Sequence, residues 1–284
     1  MSNTSPAFVF VHGAWHDAAT WHLVTPLIEA RGYAVRALDL PGAGRNAKAP
    51  RANGRRPLDL AIEPSPNAHV SQEDRTRAVV ALIDEVTRNQ ARPVVLVGHS
   101  LGGLTVSAVA EAIPERVSAA VYLTALLLPP GMTALTMVQH PTMADSLVPS
   151  LFLADPGLVQ AMRIDPRSDR PDYALQTKSA LYGDLSDADL QVALSHLHSD
   201  EPWGVMLNPA HVTPARFGRV RRHFIRCLND RAIPIAAQDF MIGAIDEHVY
   251  GPTHAHTLAT SHSPFYAQPS ALADILMEIA GNAN

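Results

Sequence analysis

The run from Val94 to Gly103, Val-Val-Leu-Val-Gly-His-Ser-Leu-Gly-Gly, constrains this chain more than any other. It is an apolar strand that passes directly into a G-x-S-x-G turn. A strand that turns this sharply into a helix leaves little room beside the serine. Glycines at Gly98 and Gly102 let neighbouring backbone pass without a Cβ clash, and Ser100 is held at the head of the helix with its hydroxyl exposed. So short a pattern also arises by chance, and its setting decides. Four β-favouring residues precede it, and Leu101, Leu104, Val106, Ala108 and Val109 follow as a buried-type helix running towards Ala112. That is the strand-turn-helix context in which a serine becomes a nucleophile.

Short apolar runs alternate with helical patterns almost throughout, the signature of crossover units and a parallel sheet. Six strands are expected, at Ala7–Val11, Tyr33–Leu38, Pro93–Val97, Val117–Leu123, His223–Cys227 and Ala255–Ala259. All are apolar enough to be covered on both faces. Helices are expected near Thr20–Ala30, Gln72–Asn89, Leu101–Ala112 and Ser270–Ala280. The stretch 128–219 breaks this rhythm. Proline-rich, yet with helix-like segments at Met143–Leu153, Ala174–Tyr182 and Ala188–His196, it reads as an inserted helical lid between core segments 1–127 and 220–284. A second excursion, Arg45–Val70, is rich in Pro, Arg and Asn and reads as an ordered surface insertion.

The chain has 284 residues, enough for one large core with a subsidiary lid and too few for two ordinary full-sized enzymes. With 47% hydrophobic and 17% charged residues and a net charge of −5, it has no basic footprint for nucleic acid, so a small-molecule partner is expected. Its single cysteine, Cys227, lies in an apolar run and reads as a core residue. The apolar run Ala7–Val11 is far too short for a signal or membrane segment, so a soluble cytoplasmic protein without membrane contact is expected. A homodimer is compatible with the sequence, which does not specify an assembly.

A serine hydroxyl is a weak nucleophile and needs a base, and the base needs a third group to fix its tautomer. Of fourteen histidines, His262 fits best: it follows the last expected strand by three residues and precedes the closing helix in Thr260-Ser-His-Ser-Pro-Phe265. His254 and His256 fall within or before that strand, and His248 in a polar loop. The acid is expected between serine and histidine in the chain. Asp230 lies there, in the turn after the strand ending at Cys227, ahead of its competitors Asp239, Asp246 and Glu247. The strand ending at Leu123 is followed by Thr124-Ala-Leu-Leu-Leu128, with no acid. An oxyanion needs preorganised donors, and removal of one typically costs about 3 kcal/mol. The backbone N–H of Leu101, beside the nucleophile, and that of Ala14, in the loop His12-Gly-Ala-Trp-His16, are the candidates.

On these residues the chain resembles the α/β-hydrolase superfamily, within it the branch of plant methyl esterases, hydroxynitrile lyases and their bacterial esterase relatives. The likeness is carried by Phe8-Val-Phe-Val-His-Gly-Ala-Trp-His16 with Trp21, Pro26-Leu-Ile-Glu-Ala-Arg-Gly-Tyr33, Ala37-Leu-Asp-Leu-Pro-Gly42, Gly98-His-Ser-Leu-Gly-Gly103, Asp230 with Ile233-Pro234, and Ser261-His-Ser-Pro264. It is strongest in the core and weak across the lid. The resemblance implies an α/β fold with a mostly parallel sheet, no metal and no organic cofactor. Lyases of that branch carry Thr after the first-loop histidine and Lys after the triad histidine; this chain has Gly13 and Ser263 there. The expectation is therefore a serine esterase for small to medium lipophilic esters, with Ser100, His262 and Asp230 as triad and Ala14 and Leu101 as oxyanion donors. Cyanohydrin cleavage is the alternative, and lactone or thioester cleavage would use the same residues. Candidate pocket residues are Trp15, His16, Leu126, Trp203 and Met206, with Met132, Met137 and Val205 as further apolar lid positions.

Overall fold

Eight strands form, β1 (Phe8–Val11), β2 (Val35–Ala37), β3 (Val94–His99), β4 (Val117–Leu123), β5 (Ala161–Arg163), β6 (Asp200–Pro202), β7 (Arg221–Cys227) and β8 (Thr253–Leu258). The computed structural model describes residues 6–51, 60–88, 93–249 and 251–282. Six strands build one sheet in the order β2-β1-β3-β4-β7-β8, every pairing parallel. The apolar runs of β1 and β3 are buried along their whole length because both faces are covered. Alternation sorts their side chains: Val9, Val11 and Leu96 join one apolar cluster, and Phe8, Phe10, Val95 and Val97 the other.

The described α-helices are α1 (Thr25–Glu29), α2 (Gln72–Thr87), α3 (Gly102–Ala112), α4 (Ala134–Val138), α5 (Pro156–Val159), α6 (Pro171–Leu181), α7 (Asp187–Ser195), α8 (Ile235–His248), α9 (Pro264–Ala267) and α10 (Pro269–Gly281), with short 3₁₀ turns between elements. The first cluster gathers Val79 and Ile83 of α2, Val106 and Val109 of α3 and Met241 of α8. The second gathers Ile28 of α1 and Leu272, Leu276 and Ile279 of α10. α2 starts where expected because Ser71 and Asp74 form a reciprocal capping box; Asn89, the expected end, lies outside the described residues. The helix expected at Thr20–Ala30 is instead a 3₁₀ turn at Ala18–Trp21 followed by α1, which starts at Thr25 with Pro26 in its first turn. β8 begins earlier than expected and so contains both His254 and His256.

Between β4 and β7 the chain forms α4 to α7, consistent with the helical stretches expected at Ala174–Tyr182 and Ala188–His196. Met143–Leu153 is not a helix: 3₁₀ turns at Pro141–Met143 and Val148–Leu151 replace it, with Pro149 inside the second. Nor is the segment 128–219 wholly helical. β5 and β6 pair as an antiparallel ribbon, with Met162 opposite Glu201. Three-residue strands carrying Arg163, Asp200 and Glu201 show no alternation to read, and a buried ion pair, Arg163 Nε to Asp200 Oδ1 at 2.7 Å, holds this ribbon instead. Arg163 also donates to the carbonyls of Leu60 and Glu63, tying the 45–70 excursion to the ribbon; residues 52–59 of that excursion lie outside the described residues. Among the described residues no helix is long and apolar enough to cross a membrane.

Candidate active site

Ser100 follows β3 and holds the left-handed backbone, φ +53°, which a non-glycine residue adopts only under constraint. Its N–H donates to Leu123 O at 3.3 Å, and its carbonyl accepts from Leu126 N at 3.0 Å and Gly103 N at 3.1 Å. Neighbouring glycines make this possible. A Cβ on Gly102 would stand 2.5 Å from His12 O, and one on Gly13 would stand 2.7 Å from Ser100 Cβ.

Parallel pairing of β7 and β8 continues past both strands, with Leu228 N donating to Leu258 O and Asn229 N to Thr260 O at 3.0 Å each. This zipper brings Asp230, in the turn after β7, beside His262, in the loop after β8. His262 Nδ1 donates to Asp230 Oδ2 at 2.6 Å, both side chains being buried. The carboxylate is fully engaged: Oδ1 accepts from Ala232 N at 2.7 Å and Ile233 N at 2.9 Å, and Oδ2 also accepts from Thr124 Oγ1 at 2.5 Å. Among the described residues, Nε2 of His262 has no hydrogen-bond partner. His99 Nε2 donates to the backbone carbonyl of His262 at 2.9 Å, so the residue preceding the serine also fixes the histidine loop.

In the first loop, Leu40 N–H donates to His12 Nε2 at 3.1 Å, which fixes the proton of this ring on Nδ1, and Nδ1 donates to Gly13 O at 2.9 Å. That carbonyl belongs to the peptide whose N–H is Ala14. Among the described residues, no protein acceptor pairs with the N–H of Ala14 or Leu101, and both residues line the same cavity as Ser100 and His262. Two free amides, a half-buried serine and a carboxylate-anchored imidazole lining one cavity form a constellation suited to acyl transfer.

A family model described as "Alpha/beta hydrolase family" matches residues 8–275. The chain belongs to the alpha/beta hydrolase family. This alpha/beta hydrolase is 29% identical over 280 residues to a putative chloroplastic methylesterase 11 of Arabidopsis thaliana, covering 96% of this chain and 63% of that protein, so it spans less than two thirds of that relative. It is 28% identical over 277 residues to a pyrethroid hydrolase of Sphingobium wenxiniae, covering 96% and 86% of the two chains. The crystal structure of a pyrethroid hydrolase from Sphingobium faniae superposes with a TM-score of 0.77 at 26% identity, covering 98% of each chain. Plant methylesterases and a bacterial hydrolase thus both stand among the relatives, as the sequence resemblance implied.

The cavity beside Ser100 measures about 260 Å³. All five pocket candidates, Trp15, His16, Leu126, Trp203 and Met206, line it, together with Leu135, Val138, Met143, Phe152 and Met162, which sequence patterning did not single out. Met132 and Met137 pack in the core instead. No Asp, Glu, Lys or Arg side chain of the described residues lines this cavity. His16 is fixed on both sides: Nδ1 donates to Ala14 O at 2.7 Å, and Nε2 accepts from Tyr182 Oη at 2.8 Å. Burial pushes His12 down to about 4 and His16 to about 3, so both are neutral near pH 7.

The competing groups are engaged elsewhere in the alpha/beta hydrolase. Asp239 pairs with Arg226 at 2.8 Å, and Asp246 accepts from Thr253. His254 and His256 stack against His223, and exposed His248 bonds Ala244 O within α8. Sequence reasoning missed Thr124. Its position at the tip of β4, where an acid was sought and not found, was the available signal.

Proposed function

We propose that this alpha/beta hydrolase is a serine esterase acting on neutral, lipophilic carboxylic esters of small to medium size. The observation that carries the reading is a left-handed serine and a carboxylate-anchored histidine lining one apolar cavity free of charged side chains. Ser100 Oγ attacks the ester carbonyl carbon while His262 Nε2 takes the hydroxyl proton, and Asp230 stabilises the imidazolium that forms. The tetrahedral oxyanion receives the N–H groups of Ala14 and Leu101. On collapse, His262 returns the proton to the leaving alcohol, and the acyl group stays on Ser100. Water, deprotonated by His262, then attacks the acyl-enzyme and releases the carboxylic acid. The segment 128–219 serves as the cap that supplies most of the apolar wall, which favours burial of a lipophilic acyl or alcohol group.

Cyanohydrin cleavage lacks its supports. Gly13 is packed too closely against Ser100 to be replaced by a hydroxyl-bearing side chain without displacement, and Ser263 supplies no cation beside His262. Hydrolysis of p-nitrophenyl butyrate by the wild type and by Ser100→Ala tests the proposal. Loss of turnover in the variant is expected, and turnover equal to that of the wild type refutes it. A parallel lactone and thioester series with the same acyl chain ranks the related substrates.

A further inference from the structure

The residue after the Ala14 donor is Trp15, and its backbone is left-handed at φ +63°. A bulky residue keeps that conformation only where its surroundings over-determine it. Three contacts do so, all from the ribbon and its lead-in. Trp15 N–H donates to Glu201 Oε2 at 3.1 Å. Its carbonyl accepts from His198 N at 2.9 Å, and its indole Nε1 donates to Met162 O at 2.7 Å. Glu201 and Met162 face each other across β5 and β6. The carboxylate is fully buried and paired with Arg75 of α2, whose Nη1 lies 2.5 Å from Glu201 Oε1. Arg75 Nε in turn donates to Pro41 O.

We propose that Glu201 is a positioning residue for the oxyanion hole: held by Arg75, it captures the Trp15 N–H and fixes the left-handed turn that leaves the Ala14 N–H free to face the pocket. The inference rests on the reading of Ser100 as nucleophile and Ala14 as oxyanion donor. A buried ion pair has no need of a third partner, and this one spends a carboxylate oxygen on the peptide adjoining the donor. A charged acceptor holds an N–H more firmly than a neutral one. The Ala14–Trp15 peptide is also pinned at its other end, where Ala14 O accepts from His16 Nδ1 at 2.7 Å. It therefore has no freedom to rotate while the ribbon is seated. The donor is completed by the cap, from a residue 186 positions away in sequence.

Steady-state kinetics on p-nitrophenyl butyrate test this with three variants. Removing Glu201 alone would strand Arg75, so the double variant Glu201→Leu/Arg75→Met removes both charges together and keeps the volume apolar. It is expected to lose about a hundredfold in kcat with KM within threefold, because only the transition state uses the hole. The inhibition constant of phenylboronic acid, whose adduct with serine places an oxygen in the hole, is expected to rise in parallel. Glu201→Gln keeps a weaker, neutral acceptor and is expected to fall between, about tenfold down in kcat. If the double variant does not fold, the Gln variant decides. A kcat within twofold of wild type in either variant, or a rise in KM without the matching boronate effect, overturns the proposal. Ser100→Ala in the same assay separates the two claims. If it turns over like the wild type, the esterase reading fails; if it is inactive while the Glu201 variants are unaffected, only the positioning role fails.

Discussion

Lowering the pH from 7 to 5 should destabilise the fold by about 4 kcal/mol through two histidines alone. Both rings of His12 and His16 are buried, and each holds one proton on Nδ1 and uses Nε2 as an acceptor. A second proton would displace Leu40 N–H or Tyr182 Oη and place a charge in the core. Burial accordingly drives their values to about 4 and about 3, against 6.5 for a free imidazole side chain. The sign follows from proton counting. Below the unfolded value the unfolded chain takes up a proton that the native state refuses, so stability is full above it and is lost as the pH falls towards the folded value. At pH 5 each histidine contributes about 2 kcal/mol, a slope of about 1.4 kcal/mol per pH unit. His99 is pushed down in the same way and adds to the effect. Half-buried Asp17, whose value is raised, opposes it. Carboxylates with lowered values, such as Asp39, are ionised in both states above pH 5 and leave this window to the histidines. Urea unfolding followed by tryptophan fluorescence at pH 7, 6 and 5 measures the slope. His16→Gln is expected to reduce proton uptake on unfolding by one. A wild-type stability that changes by less than about 1 kcal/mol between pH 7 and pH 5 refutes the reasoning.

Asp230→Asn leaves His262 Nδ1 without its anionic acceptor and is expected to lower kcat by about 10⁴-fold with little change in KM; a loss below tenfold in steady-state kinetics argues against its role. Thr124→Val removes the 2.5 Å donor from Asp230 Oδ2. One hydrogen bond to a charged group is worth about 2 kcal/mol, so kcat/KM should fall by roughly tenfold or more, with threonine's fold retained by isosteric valine. Gly102→Ala drives a Cβ to within 2.5 Å of His12 O. It should lower the melting temperature and abolish turnover, and a fully active alanine variant would show that the elbow tolerates a side chain. Because no cationic side chain among the described residues lines the cavity, a succinate half-ester is expected to fall far below the neutral butyrate ester in kcat/KM, by about 10³-fold.

What could be read from the sequence was whatever local chemistry leaves a local trace. The alternation of Phe8, Val9, Phe10 and Val11 between two apolar clusters needs only a strand covered on both faces, and the run itself states that. The capping box at Ser71 and Asp74 marks the start of α2 in the same way. The ribbon was illegible, because three-residue strands rich in charge have no period and are held by Arg163 and Asp200, far apart in the chain. Thr124 escaped because its role depends on Asp230, 106 residues on, and a hydroxyl was not the group sought.

Two of the left-handed turns of the site, at Ser100 and at Trp15, show why one was visible and the other hidden. At the elbow the crowding is steric: backbone passes within 2.5 Å of where a Cβ on Gly102 would stand, and only glycine relieves it, so the constraint is written beside Ser100. At Trp15 the strain is equal in kind, φ +63° against φ +53° at Ser100, but no glycine marks it. There the left-handed turn is held by hydrogen bonds that Trp15 donates to Glu201 and Met162 and accepts from His198. Strain relieved by removing atoms leaves a glycine signature; strain held by distant partners leaves none until the chain is folded. A search for glycine alone therefore finds Ser100 and, through Gly13, the loop that faces it, but passes over the left-handed turn at Trp15.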